Sequence, residues 1–222
     1  MRKAERALRA EIVARCREMN ASGINQGTSG NISVAHEGRM LITPSAVPYH
    51  ELEPAMIAAR PIEGGEDDAP WEGPLAPSTE WRFHLALLRE RPEAPAVVHA
   101  HPVHCTALAM ARKPIPACHY MIAAFGGADV RCAGYARYGT AELARLAVEA
   151  MEGRTACLLA NHGMIALGET LGRAMWRAIE LETIARQYFV SLQLGGPVML
   201  SEAEIAETLE GFSTYGAQSR AA

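Results

Sequence analysis

The sequence predicts a single-domain α/β fold in which helices cover a central sheet. Three observations carry this. Short apolar runs that read as strands alternate with stretches of helical periodicity. The 222 residues suit one large domain or two small ones and amply supply a core, and the absence of an internal repeat or long linker favours one. The composition, 49% hydrophobic and 21% charged, is that of an ordinary globular chain.

The elements follow in order. Residues 2–20 read as an amphipathic helix, because Leu8, Ile12, Cys16 and Met19 recur at spacings of three and four and Gly23 follows. "NQGTSGNIS", 25–33, reads as a polar turn. "RMLITP" and "MIAARPI" read as short strands, and "IEGGEDDAPWEGPLAP" as a surface loop. "PSTEWRFHLALLRERP" predicts a helix with Ser78 or Thr79 as its cap and Pro92 beyond its end. Ala96, Val97 and Val98 form a buried strand, and "VHCTALAMAR" a helix after it. "GTAELARLAVEAMEG" is a helix capped by Thr140 and closed by Gly153, and "ACLLANHGMIALG" two strands around an Asn-His-Gly turn. A long helix runs from about Glu169 to Leu194, and "SEAEIAETLEGF" opens with a capping box, Ser201 with Glu204.

Bulk properties exclude several functions. A net charge of −4 offers no electrostatic footprint for nucleic acid. No run of 18 apolar residues exists, so no membrane span is expected, and the N-terminus lacks the apolar core of a secretory signal. Five cysteines without a C-x-x-C pair suggest small buried apolar residues in a reducing cytoplasm rather than a disulfide framework.

"AVVHAHPVH" carries the first chemistry. Side chains alternate along a strand, so His99 and His101 share a face about 7 Å apart, placed either to share an ion or to serve as polar strand-end residues. His162 favours the ion. It sits in a tight turn where an imidazole gains little from packing, and three neutral histidines with an open fourth position make a catalytic zinc site. His104 is a further candidate, with a surface or supporting role as the alternative. His36, His50 and His84 read as surface residues, and His119 as structural. In "NQGTSGNIS" the glycines, Thr28, Ser29 and Asn31 offer backbone N–H groups, hydroxyls and an amide, which is either an anion cradle or a polar turn. Ser78 and Thr79 precede a helix, where capping and phosphate binding are both natural. Glu80 stands in that first turn, where the helix dipole alone favours a carboxylate. Its company, a possible metal and a possible phosphate, is what singles it out.

"GTSGNISV", "MLITPSAVPY", "PSTEWRFHLALLRERP", "AVVHAHPVHCTALAM", "HYMIAAFGG", "LLANHGMIAL" and "FSTYG" occur in the order seen in class II, zinc-dependent sugar-phosphate aldolases. The chain resembles that family over nearly its whole length, most closely the branch that acts on L-fuculose 1-phosphate. The wider superfamily holds a 4-epimerase, a dehydratase, a decarboxylase and the non-catalytic adducin head. The resemblance implies one aldolase/adducin-like domain over 1–222, a mainly antiparallel sheet flanked by helices, and a mobile tail from about 207–222. It implies zinc, with manganese or cobalt as alternatives, on His99, His101 and His162. Glu80 is similar to the catalytic carboxylate, which can also touch the resting metal. Thr28, Gly30, Asn31, Ser45, Ser78 and Thr79 fall where substrate phosphate and hydroxyls are held. Tyr120 matches a tyrosine that reaches a neighbouring subunit's site, and Tyr215 one on the tail, so the implied assembly is a cytoplasmic homotetramer with interfacial sites. Ala46 departs from the family's glycine. Tyr138 replaces a phenylalanine near the aldehyde pocket.

The resemblance therefore implies an aldehyde-lyase that reversibly cleaves a ketose 1-phosphate to dihydroxyacetone phosphate and a small aldehyde through a zinc-stabilised enediolate. The alternatives are a 5-deoxypentulose-1-phosphate aldolase, another enzyme on the same scaffold (epimerase, dehydratase or decarboxylase), or a binding domain like the adducin head. The presence of all three histidines and Glu80 argues against the last. The only small-molecule partner implied is a sugar phosphate.

Overall fold

A computed structural model describes residues 2–64 and 70–212. Seven strands form one sheet: β1 (Asn31–His36), β2 (Arg39–Ile42), β3 (Ala58–Pro61), β4 (Ala96–Ala100), β5 (Cys132–Ala133), β6 (Ala156–Leu159) and β7 (Gly163–Gly168). Their order is β3-β2-β1-β4-β7-β6-β5, and every neighbouring pair is antiparallel except β5 with β6. Among the described residues the α-helices are α1 (Lys3–Ala21), α2 (Trp81–Glu90), α3 (Val103–Met110), α4 (Ala141–Ala150), α5 (Leu171–Gln193) and α6 (Glu202–Phe212).

Strand alternation divides the core into two layers. Ile32, Val34, Ala96, Val98, Ala100, Met164 and Ala166 pack with apolar residues of α1, α3 and α5. Met40, Ile42, Val97, Leu159, Ile165 and Leu167 face α2 and α4. His99 and His101 therefore project on the α2 side, two and four residues after Val97.

β1 is an element that the polar reading of 25–33 leaves out. Its start, Asn31, pairs with His99 of β4, and its end turns into β2 through Glu37 and Gly38. Both turn residues have positive φ, 46° and 74°, as a two-residue hairpin requires. The two-residue β5 is likewise absent from the sequence reading. Elsewhere the local signals hold: Thr140 Oγ1 accepts from the Leu143 N–H at 3.2 Å, and Ser201 and Glu204 form the expected capping box. Residues 207–212 are the last turns of α6, and the remainder of the expected tail, with Tyr215, lies outside the described residues. All five cysteines are free. Among the described residues no helix is long and apolar enough to cross a membrane.

Candidate active site

The site forms where three chain segments end on the α2 side of the sheet. β4 delivers His99 and, one residue past its end, His101. The β6–β7 turn delivers His162. Asn161 there has φ 55°, a conformation asparagine tolerates better than most residues. Gly163 follows because a Cβ at that position would lie 2.5 Å from both the Ala100 carbonyl oxygen and His101 Cδ2. Gly30 plays the same part at β1, where a Cβ would come within 2.8 Å of the His99 carbonyl oxygen.

The three rings converge. One nitrogen from each lies within 4.8 Å of the others, and the ring centroids are 4.8–4.9 Å apart. His99 Nε2 and His101 Nε2 are 2.9 Å apart. His99 Nδ1 donates to the Met164 carbonyl at 2.9 Å, which turns Nε2 toward the centre of the cluster. Burial first, then the neighbouring His99 and His162, push the His101 pKa down to about 3, so that ring stays neutral, as a metal ligand must be.

Glu80 lies over this cluster. Its Oε2 is 3.1 Å from His99 Nε2 and accepts from Asn31 Nδ2 at 2.9 Å; its Oε1 is 3.2 Å from His162 Nε2 and has no hydrogen bond. Burial alone would raise its carboxyl, but His99 and His162 outweigh that and hold it well below the usual carboxylate range. Three imidazole nitrogens and one buried carboxylate oxygen lacking a hydrogen-bond donor form a donor set that fits zinc, manganese or cobalt.

Beside the cluster opens a cleft of about 470 Å³. It is lined by Thr28, Ser29, Gly30 and Asn31 from the glycine loop, by Ser45 and Ala46, and by Ser78, Thr79 and Glu80 before α2, with His101 and His162 at one end. Every expected site residue lines this cleft or its floor, save two. Tyr120 is 52% exposed and lines a separate pocket with Arg173 and Trp176, and Tyr215 lies outside the described residues. The apolar segment around Tyr120 divides accordingly: Ile115, Ile122 and Phe125 are core, and Tyr120 is surface.

Two expectations are corrected. The cap of α2 is Glu80, not Ser78 or Thr79. The Ser78 N–H donates to the Thr43 carbonyl at 2.9 Å, and the Ser78 hydroxyl accepts from the Glu80 N–H at 3.3 Å without reaching the N–H groups inside α2. His84 is not on the surface but fully buried, with its ring stacked on Phe83 at 4.6 Å. The helical spacing carried that signal: His84 stands three residues after Trp81 and four before Leu88, inside the buried stripe. Burial first, then His99, lower the His84 pKa to about 3. His104 takes the supporting alternative: His104 Nδ1 is 2.7 Å from Glu182 Oε1, away from the ring cluster. Tyr135 and Asn161 also line the cleft and carry no sequence signal beyond their loops. Tyr138 is on its rim and 61% exposed.

This fold and this cleft define a class. Residues 10–189 match the Class II Aldolase and Adducin N-terminal domain family, and the chain belongs to it. Its relatives place it on the aldolase side. It is 48% identical over 210 residues, 95% of this chain and 93% of the relative, to a 5-methylthioribulose-1-phosphate/5-deoxyribulose-1-phosphate aldolase of Rhodospirillum rubrum. It is 47% identical, over 94% of this chain and 95% of the relative, to the L-fuculose phosphate aldolase of Escherichia coli K12. A solved L-fuculose 1-phosphate aldolase superposes with a TM-score of 0.87 at 39% identity, covering 92% of this chain and 95% of that one. The chain is a class II aldolase, a lyase.

Proposed function

We propose that this protein is a metal-dependent aldolase that reversibly cleaves a ketose 1-phosphate, of the L-fuculose 1-phosphate or 5-deoxypentulose 1-phosphate kind, to dihydroxyacetone phosphate and a small aldehyde. The observation that carries this is the position of Glu80, between the three-histidine cluster and a cleft edged with hydroxyls and backbone N–H groups. Both substrate kinds are represented among relatives of nearly equal identity, 48% and 47%.

His99, His101 and His162 would hold a divalent ion, zinc first, with Glu80 touching it at rest; the ion would act as a Lewis acid toward the substrate's oxygens. Thr28, Gly30, Asn31, Ser45, Ser78 and Thr79 hold the substrate's phosphate and hydroxyls, and the phosphate supplies binding energy away from the reacting bond. In the condensation direction Glu80 removes a proton from the hydroxymethyl carbon of dihydroxyacetone phosphate. The resulting carbon nucleophile attacks the aldehyde, and the new alkoxide takes a proton from Tyr120 of a neighbouring subunit. Cleavage runs the same steps backward. The exposure of Tyr120 and its place outside its own chain's cleft lining support a tetramer with shared sites. Five free cysteines fit a cytoplasmic enzyme.

The test is product release from a panel of sugar phosphates. Dihydroxyacetone phosphate should appear from L-fuculose 1-phosphate or 5-deoxyribulose 1-phosphate. Glu80→Gln, supplied with excess metal so that His99, His101 and His162 stay loaded, should lose about 100-fold or more of the hydrogen exchange between dihydroxyacetone phosphate and heavy water. No release from either ketose, with epimerisation of ribulose 5-phosphate instead, would replace this reading by the epimerase one.

A further inference from the structure

Beneath the cleft, polar side chains occupy a seam between β1 and α2 that apolar residues would fill more simply. Ser33 and His84 are fully buried and Asn31 is 4% exposed. Ser33 stands two residues after Asn31, hence on the same face of β1, and His84 one turn after Glu80. The four form one chain of contacts. Ser33 Oγ is 2.7 Å from His84 Nδ1, His84 Nε2 is 2.5 Å from Asn31 Oδ1, and Asn31 Nδ2 is 2.9 Å from Glu80 Oε2.

The directions of these hydrogen bonds follow from chemistry. An ionised carboxylate only accepts, so the end of Asn31 facing Glu80 is its NH2 group. The opposite end is then a carbonyl, and it requires a donor. His84 Nε2 must carry the proton, which makes Nδ1 an acceptor for the Ser33 hydroxyl. With any link reversed, either two acceptors or two donors would meet in a buried site, at a cost well above that of a missing surface bond.

We infer that His84 is a positioning residue of the active site: its Nε2–H locks the Asn31 side chain with the amide NH2 toward Glu80, and thereby holds the carboxylate over His99 and His162. Asn31 thus serves two purposes, lining the cleft and steering the carboxylate. The inference rests on the proposed roles of Glu80, as the base for its kinetic readout and as a group touching the ion for its metal readout.

The experiment uses the full-length, metal-loaded protein. His84→Phe keeps a flat ring next to Phe83 and removes the donor; His84→Gln keeps an N–H near the place of Nε2. His84→Leu replaces the Phe variant if that one does not fold. Affinity for Co2+ is measured by chelator competition, alongside kcat and KM for hydrogen exchange into dihydroxyacetone phosphate, at a temperature well below the melting point of each variant. Loss of a residue that orients ligands typically costs ten- to hundredfold. The expected result is a tenfold or greater loss of Co2+ affinity and of kcat in His84→Phe, with KM within threefold. His84→Gln should stay within threefold of the parent in all three. Wild-type Co2+ affinity in His84→Phe would overturn the inference, as would a His84→Gln protein as impaired as His84→Phe. Glu80→Gln run in parallel separates the two claims: full exchange in that variant removes Glu80 as the base, while the Co2+ comparison still decides His84.

Discussion

Asn31 and His99 face each other as register partners across β1 and β4. One ends in the Glu80 carboxylate through its amide, the other meets the same carboxylate oxygen through Nε2. An antiparallel pair thus sets the edge of the cleft and the first ring of the cluster in one stroke. Residues at such paired positions lie about 5 Å apart, so small backbone shifts at either strand are felt at Glu80.

Gly163 is the tightest backbone position at the site. A methyl group there would overlap the Ala100 carbonyl and His101 Cδ2, and the carbonyl cannot move without breaking β4–β7 pairing. Gly163→Ala should lose about 2–3 kcal/mol of stability and at least tenfold in metal affinity. Gly211→Ala, which meets open space in α6, should be neutral or stabilising. Urea unfolding and metal titration of the two variants check this. Equal behaviour of both would show that the turn absorbs the methyl.

Ala46 has φ 58°, in the left-handed region, on the cleft wall next to Ser45. An alanine there carries about 1–2 kcal/mol of strain that glycine avoids, offset in part by the greater freedom of glycine in the unfolded chain. Ala46→Gly should therefore gain about 0.5–1 kcal/mol, seen as a melting point higher by roughly 1–4 °C. A lower melting point would show that the loop relieves the strain elsewhere.

Acid should destabilise the metal-free protein through its neutral histidines. In the unfolded chain His84 and His101 take up protons near pH 6.5, whereas in the fold they do so only near pH 3, burial being the first cause for both. Above pH 6.5 neither state binds the proton and nothing is lost. Between about 6.5 and 3 the unfolded state binds more protons, so stability falls as pH falls, at up to about 1.4 kcal/mol per pH unit for each ring. Urea midpoints from pH 7.5 to 4.5 should decline, and His84→Gln should flatten the decline. An identical slope in that variant would mean His84 is accessible to protons in the fold.

Thr28 is exposed and lines the cleft from the glycine loop. Thr28→Ala should leave stability within about 0.5 kcal/mol. It should raise KM for a ketose 1-phosphate about tenfold, the cost of one hydrogen bond to a charged group, with little change for the unphosphorylated ketose. Equal effects on both substrates would assign Thr28 to the sugar end of the cleft.

Some of this site was legible in one dimension because the signals are local. The period-two step from His99 to His101, the Asn-His-Gly turn at His162, and the glycines with hydroxyls at 27–31 each announce themselves within ten residues. The helices were legible for the same reason, since Thr140 and Ser201 cap their own neighbours. The family resemblance assembled those fragments into one cleft, and the fold places them there.

What the sequence alone determined was therefore the chemistry of each fragment; what the tertiary structure decided was which side chains face one another. His84 shows the difference. The helical spacing puts its ring inside the buried stripe of α2, but its partners appear only when β1 is recognised as a strand that lays Ser33 and Asn31 against it. β1 itself hides behind a polar start, because its first residue is spent on Glu80 rather than on the core. The cap of α2 is Glu80, while the Ser78 N–H is bonded to Thr43 just past β2, a tie across 35 residues. Hydrogen bonds between residues about fifty positions apart have no local signature, and they orient the carboxylate at the centre of this site.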